Sequence, residues 1–109
     1  MEDSPRHLNG ETWNGEDMMF SITDNRGFQV TYANGWTVSV QFGHGSYCAN
    51  RDYNQPFEHE EAQESVNAEI AAWDKNGIWH KFDDEGDTVD GWKTPDEVLE
   101  FMNMIAAKE

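Results

Sequence analysis

Three groups of side chains in this sequence are of the types that chemistry uses. The first is the run Asp83, Asp84, Glu85, Gly86, Asp87, Thr88, Val89 and Asp90, whose carboxylates are the oxygen ligands a hard cation such as calcium takes. Its spacing departs from that of an EF-hand, where glycine stands sixth and a bidentate glutamate twelfth. The flanking patterns are a strand and a helix, not two helices. The second group is His44, Cys48 and His59. Structural zinc takes four ligands in paired short spacings, and only His44 and Cys48 form such a pair. The third is Cys48 with a histidine, a nucleophile and its base, but no catalytic motif flanks the cysteine. Gly43-His44-Gly45 lacks the lysine and the following helix of a phosphate loop. The carboxylates stand in polar sequence, where ordinary pKa values are expected. The sequence therefore predicts no catalytic residue, no metal site and no cofactor.

What remains is charge. Twenty-two acids against seven basic residues give a net of −15 over 109 residues. Residues 1–24 hold six acids and one arginine, residues 25–51 hold Arg26 and Arg51 and no acid, and residues 52–109 hold sixteen acids and four lysines. Such a field repels nucleic acid and anionic membranes and attracts basic partners. Five Trp, six Phe and three Tyr argue for a folded chain, because disordered acidic tails are poor in aromatics. The length suits one domain. Cys48 is the one cysteine, the N-terminus reads as no signal peptide and no apolar run approaches a membrane span, so a protein of a reducing cytoplasm is expected.

Elements follow from periodicity. Residues 1–16 are polar and aperiodic and read as a mobile arm ahead of a domain over 17–109. From Met18 the pattern has period two: Phe20 and Ile22, then Phe28, Val30 and Tyr32, then Trp36, Val38, Val40 and Phe42. Asn34-Gly35 predicts a tight hairpin of type I′ between the second and third runs. Residues 43–65 read as a long connection. Residues 66–74 read as a fourth strand, with Asn76-Gly77 turning into a fifth over 78–82. Thr94, Pro95 and Glu97 carry a capping box with proline at the first helical position. Val98, Leu99, Met102, Ile105 and Ala106 make an apolar stripe at helical spacing. The predicted class is α+β: one antiparallel sheet of about five strands in the order β-β-β-loop-β-β-α, with the terminal helix on one face. Trp36, Trp73 and Trp92 are expected in the core or as lids over the sheet edge.

Two acidic segments and one aromatic loop are the candidate contact residues: Glu58, Glu60, Glu61 and Glu64; Asp83, Asp84, Glu85, Asp87 and Asp90; and Tyr47, Arg51 and Tyr53. Tyr and Arg are enriched where proteins bind proteins, and the carboxylates would steer a basic surface. The charge density approaches that of duplex DNA, one charge per about 1.7 Å of axis, which raises nucleic-acid mimicry. The plain alternative is that the acids keep a small protein soluble.

Two stretches carry a resemblance. Asn34-Gly35-Trp36-Thr37-Val38-Ser39-Val40-Gln41-Phe42-Gly43 with Tyr47-Cys48 and Asn50-Arg51 is one. Ala68-Glu69-Ile70-Ala71-Ala72-Trp73-Asp74, running to Gly91-Trp92 and Thr94-Pro95-Asp96-Glu97-Val98, is the other. Over about residues 18–106 the chain resembles small acidic orphan proteins of tailed phages. The resemblance brings no catalytic or binding residue with it. It implies a viral accessory protein made in the host cytoplasm. Together with the charge and the lack of a catalytic motif, the expectation is a non-enzymatic inhibitor that binds a basic, nucleic-acid-binding host protein. The rival expectation is an assembly module of a phage particle. Neither nucleic acid nor membrane is expected as a direct partner, and the sequence leaves the oligomeric state open.

Overall fold

The computed structural model describes residues 18–24, 26–51 and 64–109. The arm expected over 1–16 lies outside them. Five antiparallel strands, β1 (Met19–Ile22), β2 (Gly27–Thr31), β3 (Thr37–Gln41), β4 (Ala68–Trp73) and β5 (Asp90–Lys93), stand side by side in chain order, followed by helix α1 (Pro95–Ala106). The α+β class and the single sheet with a terminal helix are as the alternation and the capping box imply.

Cross-strand partners share a face of a sheet. The register places Phe28 opposite Val40, Val30 opposite Val38, Val40 opposite Ile70 and Val38 opposite Ala72, which makes one apolar face. Helix α1 covers it with Val98, Phe101 and Ile105, all buried. Gln29, Thr31, Thr37, Ser39, Gln41 and Glu69 share the other face, which is polar. There the hydroxyl and amide groups bind one another: Thr31 and Thr37 stand 2.9 Å apart, and Gln41 donates to Thr23 at 2.8 Å and to Ser39 at 3.0 Å.

The Thr94 hydroxyl accepts from the Glu97 N–H, and the Glu97 carboxylate accepts from the Thr94 N–H at 2.9 Å, so the capping box is complete. Asn34 serves the other end of the helix. Its side-chain amide donates to the carbonyls of Ile105, which also accepts from the Lys108 N–H, and of Lys108 just beyond the helix, both at 2.9 Å, and so supplies a donor where the helix ends.

Four expectations are corrected. The hairpin at Asn34-Gly35 is not type I′, which needs positive φ at both residues. Gly35 has φ 90°, Asn34 is not among the positive-φ residues, and Tyr32 N donates to Trp36 O, enclosing a three-residue loop. The fifth strand is not 78–82. That segment makes one bridge, Trp73 to Trp79, and His80 N donates to Ala72 O before the chain leaves. The rest of the outer edge of β4 is taken by β5, from within the expected acidic loop. Leu99 is not a core residue: it is 58 % exposed, at the rim of a groove of about 370 Å³ between α1 and the sheet. Phe101 holds the core position instead. Finally, Trp92 is 53 % exposed, while Trp36 is half-buried against the core and Trp73 is half-buried against Trp79 at a ring distance of 4.8 Å.

Candidate protein-binding surface

The loop over residues 43–51 lies at the centre of the candidate surface, and its anchoring explains its shape. Cys48 is buried, with its thiol 3.6 Å from the Gly43 carbonyl. The Asn50 amide donates to the carbonyls of Phe42, at 2.8 Å, and Glu64, at 2.9 Å, and Ala49 N donates to the Asn67 side chain at 2.6 Å. Arg51 turns back and donates to the Gly45 carbonyl at 2.8 Å, which brings its guanidinium 4.5 Å from the centre of the Tyr47 ring.

Tyr47 is held against β5. Trp92 N donates to its carbonyl at 2.9 Å, and the Tyr47 and Trp92 rings lie 5.7 Å apart. Gly91 makes this approach possible: a Cβ there would stand 2.6 Å from the Tyr47 Cβ. Trp92 itself adopts φ 52°, an uncommon conformation for an aromatic residue. The result is a ridge of Arg51, Tyr47 and Trp92 at the edge of the sheet, with Tyr47 and Trp92 exposed. Trp92 was not among the residues that sequence reasoning proposed. The Gly91-Trp92 pair just before a helix cap was the one local signal of a tight approach there.

Behind the ridge, on the polar face, a hollow of about 400 Å³ is lined by Gln29, Ser39, Gln41, Glu69, Trp73 and Trp79 among others. Burial raises the pKa of Glu69 above the usual carboxylate value, while the Tyr47 N–H and the Arg51 charge pull it back down.

The acidic loop leads directly into β5, the strand that carries Trp92. Its carboxylates are not equivalent. Asp83 accepts from the N–H groups of Glu85 and Asp87, both at 3.0 Å, and these hold its pKa below the ordinary value. Asp90 pairs with Lys93 at 3.0 Å and holds the lysine above its usual range. Asp83 and Asp90 therefore organise the loop, with the Asp87 side chain also meeting Asp83, and Asp83, Asp84, Glu85 and Asp87 are all exposed. Glu64 is exposed beside the Asn50 anchor. Glu58, Glu60, Glu61, Tyr53 and His59 lie outside the described residues. Among the described residues, no three His, Cys, Asp or Glu side chains gather as a metal-binding group.

Charge is sorted along the order of the strands. Residues 18–51, which carry β1 to β3, have one acid and two arginines, whereas residues 64–109, which carry β4, β5 and α1, have twelve acids and four lysines. Comparison with protein-family models, with curated proteins and with solved structures finds no match to this chain.

Proposed function

We propose that this is a non-enzymatic binding protein whose target is a basic protein surface, engaged by the β4–β5 end of the sheet. The observation that carries the reading is the juxtaposition at β5. An aromatic and arginine ridge stands at β5, the strand into which the loop of the exposed carboxylates Asp84, Glu85 and Asp87 directly runs, in the half of the molecule that holds the charge. Aromatic residues and arginine supply most of the energy in protein interfaces, and acidic residues around them steer a cationic partner and raise its association rate. The hollow beside the ridge is walled by the Trp73 and Trp79 rings and the Glu69 carboxylate, and Arg26, paired with Asp24, already lines it, so the ridge rather than the hollow supplies the contact. The resemblance to tailed-phage orphan proteins supports a viral accessory role, in which the partner is a nucleic-acid-binding host protein that the acidic surface occludes.

The test is a binding experiment with bacterial lysate passed over the immobilised chain at low and high salt, followed by kinetics on the captured protein. Association should slow steeply with salt, DNA should compete, and Tyr47→Ala with Trp92→Ala should speed dissociation. Capture that ignores salt and survives neutralisation of Asp84, Glu85 and Asp87 would remove this reading. An assembly module of a phage particle is the second reading, and the uncharged strand β1, which has a strand partner on one side only among the described residues, is the observation in its favour.

A further inference from the structure

The two edges of the sheet are built differently. At β5 the edge is irregular: the register shifts between Ala68 and Ile70, Trp92 has positive φ, and Asp90 and Lys93 are charged. Those are the devices by which natural proteins prevent strand edges from pairing. Strand β1 has none of them. It pairs with β2 in unbroken register, and Met18-Met19-Phe20-Ser21-Ile22-Thr23 contains no charge and no proline. Phe20 is 81 % exposed and Ile22 79 %.

The backbone agrees with the side chains. Thr23 N donates to Gly27 O, so Thr23 and Gly27 are a hydrogen-bonded pair, and the alternation of antiparallel pairing makes Ser21–Gln29 and Met19–Thr31 the next ones. Phe20 and Ile22 lie between them and direct their N–H and C=O groups away from β2. Among the described residues, the same two thus present backbone groups without a strand partner and exposed apolar side chains.

We propose that the chain forms a two-fold dimer by antiparallel pairing of β1 with β1 of a second copy, with the axis at Ser21. In this register Phe20 and the partner copy's residue 22 exchange both backbone bonds, and Ile22 does so with residue 20. Apolar side chains then meet as cross-strand pairs on the helix-bearing face. Charge favours a second copy over a basic partner here. Asp24 and Arg26 are the charged residues of 18–42, and they pair with each other at 3.0 Å. A two-fold arrangement joins two β1–β2–β3 segments whose residues 18–42 carry no net charge. Among the described residues it keeps the acidic β4, β5 and α1 at opposite ends of a continuous sheet, while the five acids and one arginine of residues 1–17 add like charge for salt to screen. The area available is modest: Phe20 and Ile22 expose roughly 300 Å² per copy on the helix-bearing face, and Met18 and Met19 bring the exposed total to about 500 Å², of which pairing covers a part. Two copies therefore bury at most about 1,000 Å², at the low end for a specific interface, which makes this a weak dimer.

The test is sedimentation of the full chain from about 1 to 500 µM, a range that captures the weak dimer expected of an interface at the low end of the specific size class. Salt should tighten the dimer, roughly threefold or more between 50 and 500 mM, because it screens repulsion between like-charged copies. That sign is opposite to the one expected for a basic partner. Phe20→Lys and Ile22→Pro, both at exposed positions that β2 does not bond, should abolish the dimer with an unchanged circular dichroism spectrum. Register is read by Ser21→Cys: directly opposed residues that are not hydrogen-bonded to each other have Cα atoms about 4.5 Å apart, within disulfide reach. It should cross-link under mild oxidation while Met19→Cys does not, against the background of a buried Cys48. A chain that stays monomeric across these conditions, a dimer unaffected by Phe20→Lys, or equal cross-linking from positions 19 and 21 would overturn the proposal.

Discussion

Replacing Ile105 with alanine should be among the most damaging single changes in this protein, and replacing Leu99 among the mildest. Both residues are apolar and both lie on α1, but Ile105 has 0 % exposure against the sheet and Leu99 has 58 %. Ile105→Ala deletes three carbon groups at about 0.8 kcal/mol each, or roughly 2.4 kcal/mol of transfer free energy. A residual void of about 50 Å³ adds roughly 1 kcal/mol at about 24 cal/mol per Å³. Alanine's better helix propensity returns a few tenths of a kcal/mol. The sum is about 3 kcal/mol, a large share of the ~5–15 kcal/mol that holds most domains together. Leu99→Ala should cost less than about 1 kcal/mol, since most of its side chain already meets water. Urea titrations followed by far-ultraviolet circular dichroism measure both, and an unchanged m-value shows that the midpoint shift reports stability. A Leu99 variant as destabilised as the Ile105 variant would mean that α1 packs through a different face.

Asn34→Asp should cost roughly 2 kcal/mol and more than Asn34→Ala, because it sets an acceptor and a negative charge against the carbonyl end of α1. Stability should fall on acidification below about pH 6.5. His80 sits edge-on between Phe82 and Phe101, and burial, then Lys108, hold its pKa down. The unfolded chain therefore takes up the proton first, stability is full above the unfolded pKa, and it is lost down to the folded one. His80→Gln should flatten that part of the curve, as read from melting temperature against pH. Gly91→Ala should cost about 1–3 kcal/mol by overpacking and weaken the near-ultraviolet signal of the Tyr47–Trp92 contact, since its Cβ has no room beside Tyr47.

The parts legible in the sequence are those fixed by neighbours in the chain. Strands β2 and β3 were readable because Phe28, Val30, Val38 and Val40 alternate around a glycine turn, and the start of α1 because Thr94 and Glu97 satisfy each other locally. Strand β5 was not readable. Asp90-Gly91-Trp92-Lys93 has no alternation, and it becomes a strand because Tyr47 and the free edge of β4 accept it across distant sequence. The 78–82 segment looked better locally and lost that edge after one bridge. Leu99 misled because it is apolar and next to Val98, although one residue turns the helix by about 100°. For the candidate surface, residue types pointed to Tyr47 and Arg51 and to the acids, but not to the Tyr47–Trp92 contact at β5. Nor could they separate Asp83 and Asp90, which hold the loop, from Asp84, Glu85 and Asp87.

The most direct test of the central claim is the association rate of the captured partner, measured against salt for the wild-type chain and for Asp84→Asn, Glu85→Gln and Asp87→Asn combined. Neutralising these three leaves the Asp83 turn and the Asp90–Lys93 pair in place, so the fold should persist. The account predicts a wild-type rate that falls by roughly tenfold or more between 50 and 500 mM salt, and a variant that starts slower and falls less. Equal rates for the two proteins, with no dependence on salt, would contradict it.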